Sequence, residues 1–269
     1  MSIVFKLTCV AVVLVSLMAG GCGSKGDRVD NLAGPAPGNK AAVQPNKDGT
    51  IPSGTGVEKE KPAAGKANVQ GKAFYNDKPA VGVQVKLCKT FSQYMNGCGG
   101  ETFTTKTDDA GEYLIKDVPP GMYEGLTVQV FDTPFYVFAT AGFISAAKYN
   151  IEDGKTYFAP DTNLFKNDLK LINPKAGSKV AAAGLEVKWD AYPDAAYYKY
   201  SIHADSSSGA ETNYDYINKR VDGTSASLDK PLAPGNYTAK VEAFNANDRK
   251  LSQTSQDMKF TVTGVPAAK

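Results

Sequence analysis

The chain has few of the residues from which catalytic and metal centres are usually built. Its 269 residues include one histidine, His203, one tryptophan, Trp189, and four cysteines. A Ser-His-Asp triad would have to use His203, yet no serine lies in a G-x-S-x-G setting. Catalytic zinc takes three protein ligands, commonly with more than one histidine, and this chain has a single histidine. No glycine-rich phosphate loop opens a helix, and no stretch has a convincing 3.6-residue apolar period. Carboxylates are plentiful, but no pair stands out as an acid and a base. Charge of one sign is not in excess either, with 30 basic residues against 28 acidic. That balance argues against nucleic acid or an acidic polymer as partner. Together these absences point away from an enzyme and imply no cofactor and no metal.

Aromatic residues are missing where the chain is most polar. Residues 23–66 contain none and are rich in Gly, Pro, Ala, Lys, Asn and Asp. Such a segment buries too little apolar surface to offset its ordering entropy, and is expected to be a disordered leash. From Ala67 onward lie all 14 tyrosines, Trp189 and every phenylalanine except Phe5. The roughly 200 residues that follow suffice for one large or two modest domains.

The amino terminus has a different character. Lys6 is the one charge in the first 24 residues, and "LTCVAVVLVSLMA" runs from Leu7 to Ala19. This run has signal-peptide length and falls short of the ~20 apolar residues of a membrane span. Met18-Ala19-Gly20-Gly21-Cys22 then resembles the lipobox of bacterial lipoproteins. That resemblance implies cleavage before Cys22 and acylation of its thiol, with Ala19 standing where leucine is usual. Two or more acyl chains, each buried methylene contributing about 0.8 kcal/mol, would hold the protein on a membrane. Gly23, where an aspartate would favour inner-membrane retention, makes the outer membrane the expected location in a Gram-negative cell. Cys88 and Cys98 remain as an even pair in an exported chain, which points to a disulfide.

The head reads as short strands separated by turns. Val83, Val85 and Leu87 alternate in one stretch, and Leu126, Val128 and Val130 in another. Period-2 patterning broken by frequent Gly, Pro, Asn and Asp predicts an all-β fold of two tandem β-sandwich (Ig-like) domains. In the first, Thr107, Asp108, Gly111, Tyr113, Ile115, Val118, Pro119, Gly121 and Tyr123 form a recognisable series. It resembles the carboxypeptidase regulatory-like domain, a transthyretin-like sandwich. That domain is an accessory module, and the resemblance implies no peptidase activity. In the second, Leu185, Val187 and Trp189 alternate, as do Tyr198, Tyr200 and Ile202. This part resembles a fibronectin type III-like domain, which implies a buried Trp189 and a tyrosine corner made by Leu232, Pro234, Gly235 and Tyr237. The expected layout is a signal at 1–21, lipidated cysteine and leash at 22–66, sandwiches at 67–171 and 172–264, and a tail at 265–269. Leu169 and Leu171 are expected to end the first sandwich.

Candidate contact residues are Tyr94, in the loop between Cys88 and Cys98, with Tyr214 and Tyr216 in "ETNYDYINKR". Tyrosines beside Asn and Asp can stack on sugar rings, or be half-buried strand residues. The aromatic segment 131–143 reads as core filling, with an exposed patch as the alternative. Asp108 and Asp109 read as turn residues rather than calcium ligands. His203 reads as a solvent-facing residue at a strand end. The expected role is non-catalytic: a lipid-anchored envelope protein presenting its sandwiches to a protein or glycan partner, or a structural spacer in an envelope complex.

Overall fold

The computed structural model describes residues 45–92, 97–139, 147–205, 218–255 and 258–264. Alternating apolar residues set the strands of the first unit. They are β1 (Thr50–Ile51), β2 (Ala67–Tyr75), β3 (Lys78–Pro79), β4 (Gln84–Ser92), β5 (Gly97–Lys106) and β6 (Glu112–Val118). There follow β7 (Gly121–Tyr123), β8 (Gly125–Gln129), β9 (Tyr136–Phe138), β10 (Lys148–Ile151), β11 (Thr156–Phe158) and β12 (Thr162–Asn163). One sheet is centred on β2, with β6 and β3 antiparallel to it and β11 and β12 parallel to it. The facing sheet has the order β5-β4-β8-β9, and a third group has the order β1-β10-β7. Val69, Val85, Leu87, Ile115, Leu126 and Val128 point inward between them and are almost fully buried. Tyr113 lies across Gly71, where an added Cβ would come within 2.5 Å of the phenol oxygen, so β2 needs glycine at that point.

The expected leash is corrected over its described part. Residues 45–66 lie along the first sandwich. Ile51 is buried in its core and β1 pairs in parallel with β10. Tyr157 Oη donates to the Ile51 carbonyl at 2.9 Å, and Gln70 bonds Lys59 N and the Val57 carbonyl at 3.0 Å each. The composition of the segment is leash-like. A buried isoleucine, hydrogen bonds from neighbouring main-chain and side-chain groups, and ion pairs from Lys59 and Glu60 to Asp108, Glu112 and Lys116 dock it.

The second unit comprises β13 (Leu171–Asn173), β14 (Lys179–Ala181), β15 (Glu186–Trp189), β16 (Tyr197–Ala204) and β17 (Lys219–Val221). It ends with β18 (Ser225–Ser227), β19 (Gly235–Phe244), β20 (Lys250–Gln253) and β21 (Lys259–Thr263). The sheet β13-β15-β18 faces β14-β21-β19-β16-β17, with β20 also on β19. Trp189, Tyr198, Tyr237, Val241, Leu251 and Phe260 fill the space between them. Leu169 and Leu171 pack into this second core, whereas the first core ends at Phe165. The division therefore falls a few residues before the expected boundary.

Both units turn a corner in the same way. Tyr123 Oη donates to the Pro119 carbonyl at 2.9 Å, and Tyr237 Oη to the Ala233 carbonyl at 2.8 Å. The chain between the two cores is zipped onto β20: Lys166 N donates to Leu251 O and Gln253 N to Lys166 O.

Candidate binding surfaces

The sequence-predicted contact residues Tyr94, Tyr214 and Tyr216, and the lipidation residue Cys22, lie outside the described residues. Cys88 and Cys98 are joined in a disulfide linking β4 to β5. Asp108 is a turn residue. Its Oδ1 accepts from Ala110 N at 3.0 Å and Glu112 N at 2.9 Å, and Lys59 holds its other oxygen. Among the described residues, no three metal-ligating side chains come together. His203 is half-buried rather than solvent-facing, opposite Thr238 on β19. Burial, with the Lys240 charge, pushes its imidazole below the usual histidine range.

The aromatic segment divides. Val130, Val137 and Ala139 are buried, Phe131 leans on the core, and Phe135 and Tyr136 stay outside at 52% and 37% exposure. Strand alternation decides which goes where. In β9 the inward position is Val137, so Tyr136 and Phe138 fall on the outer face of the β5-β4-β8-β9 sheet. Tyr136 lies opposite Gln129, and Phe138 opposite Thr127. The Tyr136 hydroxyl donates to Gln84 Oε1 at 3.4 Å, and the Lys86 ammonium sits 4.9 Å from its ring centre. Contacts of this kind contribute roughly 0.5–1 kcal/mol at exposed sites and fix the ring's orientation. A hollow of about 260 Å³ opens at the end of this face, bordered by Val81, Gln84, Lys106, Gln129, Phe131 and Asp132.

A larger groove of about 850 Å³ runs between residues 53–59 and the β2 sheet. Its charges are spent on one another. Lys59 bridges Asp108 at 2.6 Å and Glu112 at 2.8 Å, and Lys72 holds Glu112 at 2.5 Å. Hydrogen bonds from Lys59 hold both carboxyls below the usual range, and the Lys59 ammonium is raised in turn. Burial pushes Asp161, also on this groove, upward against the pull of Lys72 and Arg249.

The third polar concentration joins the units. Asp77, at the β2–β3 turn, accepts from Asn245 Nδ2 at 2.7 Å, Asn247 Nδ2 at 2.8 Å and Arg249 Nε at 3.3 Å. Asn76 donates to Asp194, and Tyr192 Oη donates to Asp168 at 2.9 Å. Asn76 and Asp77 have φ of 51° and 60°, as a two-residue hairpin turn requires. Lys250, 4% exposed, meets Glu242 at 2.5 Å and lies 4.0 Å from the Phe165 ring centre of the other core. Burial pushes the Glu242 carboxyl up, but Lys250 and Lys240 outweigh it and hold the group below the usual range. Sequence reading missed this junction because its residues are ordinary loop Asn and Asp. The "YND" turn was the one available signal.

No family model matches the chain, and no curated protein matches it. Among solved structures, it is similar to fibronectin(III)-like modules of CbhA from Clostridium thermocellum. The identity is 17% and the TM-score 0.27, over 36% of this chain and 99% of that one. It is also similar to the FN1–FN3 domains of chicken CNTN1, at 14% identity and a TM-score of 0.27 over 77% of this chain and 70% of that one. The major pilin SpaD from Corynebacterium diphtheriae is similar at 14% identity and a TM-score of 0.25, over 72% of this chain and 64% of that one. At such scores the structures do not superpose as wholes, and the architecture rests on the strand pairing itself.

Proposed function

We propose that this chain is a non-catalytic, lipid-anchored cell-envelope protein that holds two coupled β-sandwiches out to a protein or glycan partner. The observation that carries this reading is the junction. Asp77, Asn245, Arg249 and the strand-paired linker hold the two units against each other. A tandem held in this way fixes the spacing and direction of whatever surface it carries, which suits display. The first unit is read as a carboxypeptidase regulatory-like sandwich acting as an accessory module, and the second as fibronectin type III-like. Cys22 supplies the anchor, with the outer membrane favoured in a Gram-negative cell. Because residues 45–66 are docked, a pull from an anchored amino terminus would reach the first sandwich at β1.

The same junction favours a second reading, a rigid spacer in an envelope complex, which would depend on the coupled pair and on no exposed face. The test of the anchor is intact mass of the membrane-extracted full chain, with and without Cys22→Ala. The expected result is a mature chain beginning at Cys22 with added acyl mass, and a soluble, unacylated variant. A wild-type chain that is soluble and unacylated would overturn the anchor.

A further inference from the structure

We propose that the outer face of the β5-β4-β8-β9 sheet binds an acidic glycan, a polysaccharide whose sugar rings carry carboxylates. This rests on the display reading and names a face and a ligand class for it. Strand register sets out the surface. Lys106 lies opposite Gln84, the register carries Gln84 on to Gln129, and Gln129 lies opposite Tyr136. The next row runs Thr104, Lys86, Thr127 and Phe138, with Thr127 buried beneath its half-exposed neighbours Lys86 and Phe138. Each row crosses four strands, a span of roughly 14 Å at the ordinary strand spacing. That is long enough for a short run of sugar rings.

The chemistry follows from these side chains. Tyr136 gives an exposed ring, already oriented by Gln84 and Lys86. Gln129 Nε2 gives one hydrogen to the Thr133 carbonyl at 2.8 Å and Gln84 Oε1 accepts from Tyr136, which leaves the Gln84 amide nitrogen to donate and the Gln129 amide oxygen to accept from hydroxyls. Lys86 and Lys106 are the charged groups of the two rows, which hold no carboxylate. Asp132, at the rim of the end hollow, bounds the cationic stretch. The near-neutral charge of the whole chain averages over this face and conceals it. A peptide would be taken at a strand edge or in side-chain pockets. The proposed surface is the outer face between edge strands β5 and β9, and a peptide pairing along either edge would not lie across it. Ring, amide and ammonium side by side suit hydroxylated rings bearing carboxylates.

The experiment titrates the full chain with polygalacturonate, alginate and hyaluronate, at low and high salt. Methyl-esterified polygalacturonate serves as the neutral control and polyglutamate as the acidic-peptide control. Variants are Tyr136→Ala, Lys86→Gln and Lys106→Gln, each with its thermal midpoint measured to show that the fold is kept. The expected result is binding of at least one acidic glycan that weakens with salt and weakens on esterification. Tyr136→Ala should reduce affinity about tenfold, more than truncating most interface residues costs and less than a full hot spot. Each lysine variant, Lys106 exposed and Lys86 half-buried, should reduce affinity about threefold, within the range of a solvent-screened ion pair. Equal binding of acid and ester, equal binding of polyglutamate, or binding unchanged in all three folded variants would overturn the proposal. So would no binding to any of the three glycans. In that last case an acylated chain crosslinking to a partner keeps the display reading, and a soluble chain with no partner loses that reading too.

Discussion

In the first sandwich Tyr123 Oη reaches the Pro119 carbonyl, and in the second Tyr237 Oη reaches the Ala233 carbonyl, four residues back in both. The corner is the same, and the edges beyond it are closed differently. The first sandwich takes in its own amino-terminal flank, with Ile51 in the core and β1 on β10. It also holds β4 to β5 with a disulfide. The second has no bond of that kind among its described residues. Its β19 instead carries two successive partners, β20 and β21, and β20 is where the linker and the junction attach. One unit spends its edge on its own closure, and the other spends it on its neighbour. Local corner mechanics can therefore be copied between domains while edge treatment is set by what each domain must hold.

Removing the centre of the second core should have the largest effect. Trp189 is 2% exposed and packs on Tyr198, with ring centres 5.5 Å apart. Trp189→Ala is expected to cost about 3–5 kcal/mol, the usual range for a buried aromatic. Denaturant unfolding would read this, followed by tyrosine fluorescence and far-ultraviolet dichroism. If the junction couples the units, the first sandwich should lose stability as well. An unchanged second transition for the first sandwich would break that link. The disulfide has no counterpart in the second unit. Cys88→Ser with Cys98→Ser should cost about 2–3 kcal/mol by the loop-entropy estimate, and chiefly in the first unit.

The junction itself is tested by Asp77→Ala. Arg249 is 7% exposed and would keep its buried guanidinium without that partner, and two asparagine amides would lose an acceptor. Asp77 is partly exposed and water can enter, so the cost should be about 1–3 kcal/mol, below that of a fully buried pair. The sharper readout is geometric. Small-angle scattering should show a broader distribution of interdomain distances, with both sandwiches still folded. A distribution identical to wild type would mean that the strand-paired linker alone sets the spacing.

These differences in edge treatment were also the least legible part of the sequence. Alternation in "GVQVKLC" and "LEVKW" located β4 and β15, since one inward face per sheet imposes period 2. Leu232, Pro234, Gly235 and Tyr237 announced the second corner through a family resemblance, and Cys88 and Cys98 announced their bond as the even pair left in the chain. Docking of residues 45–66 was hidden because it rests largely on the segment's own main chain, bonded by main-chain groups and by the side chains of Asn68, Gln70 and Tyr157, which leaves no trace in the segment's composition. The outer face was half legible. Aromatics 131–143 were visible as a group, but which ones point outward depends on the register of β9 against β8, a non-local fact. The junction was illegible because turn residues read alike whether they meet solvent or another domain.

The smallest predicted effect returns to the shared corner. Tyr123→Phe and Tyr237→Phe each keep a buried ring and remove one hydroxyl donor. Each should cost about 1 kcal/mol, the net value of one hydrogen bond. Burial raises both phenols above the ordinary tyrosine range, Tyr123 with a further push from Glu101. A raised folded value favours the neutral donor. The contribution is therefore fully present below the unfolded tyrosine value and is lost progressively as pH rises from there through the higher folded one. Stability curves from pH 7 into the alkaline range, for wild type and both variants, would check this. The expected pattern is two equal losses at pH 7 that shrink together at alkaline pH. A loss in one variant exceeding the other by more than about 1 kcal/mol would show that the corner takes its strength from the edge beside it. The lysine ammonium 4.5 Å from the Tyr123 ring, which the second corner lacks among the described contacts, would be the first cause to remove.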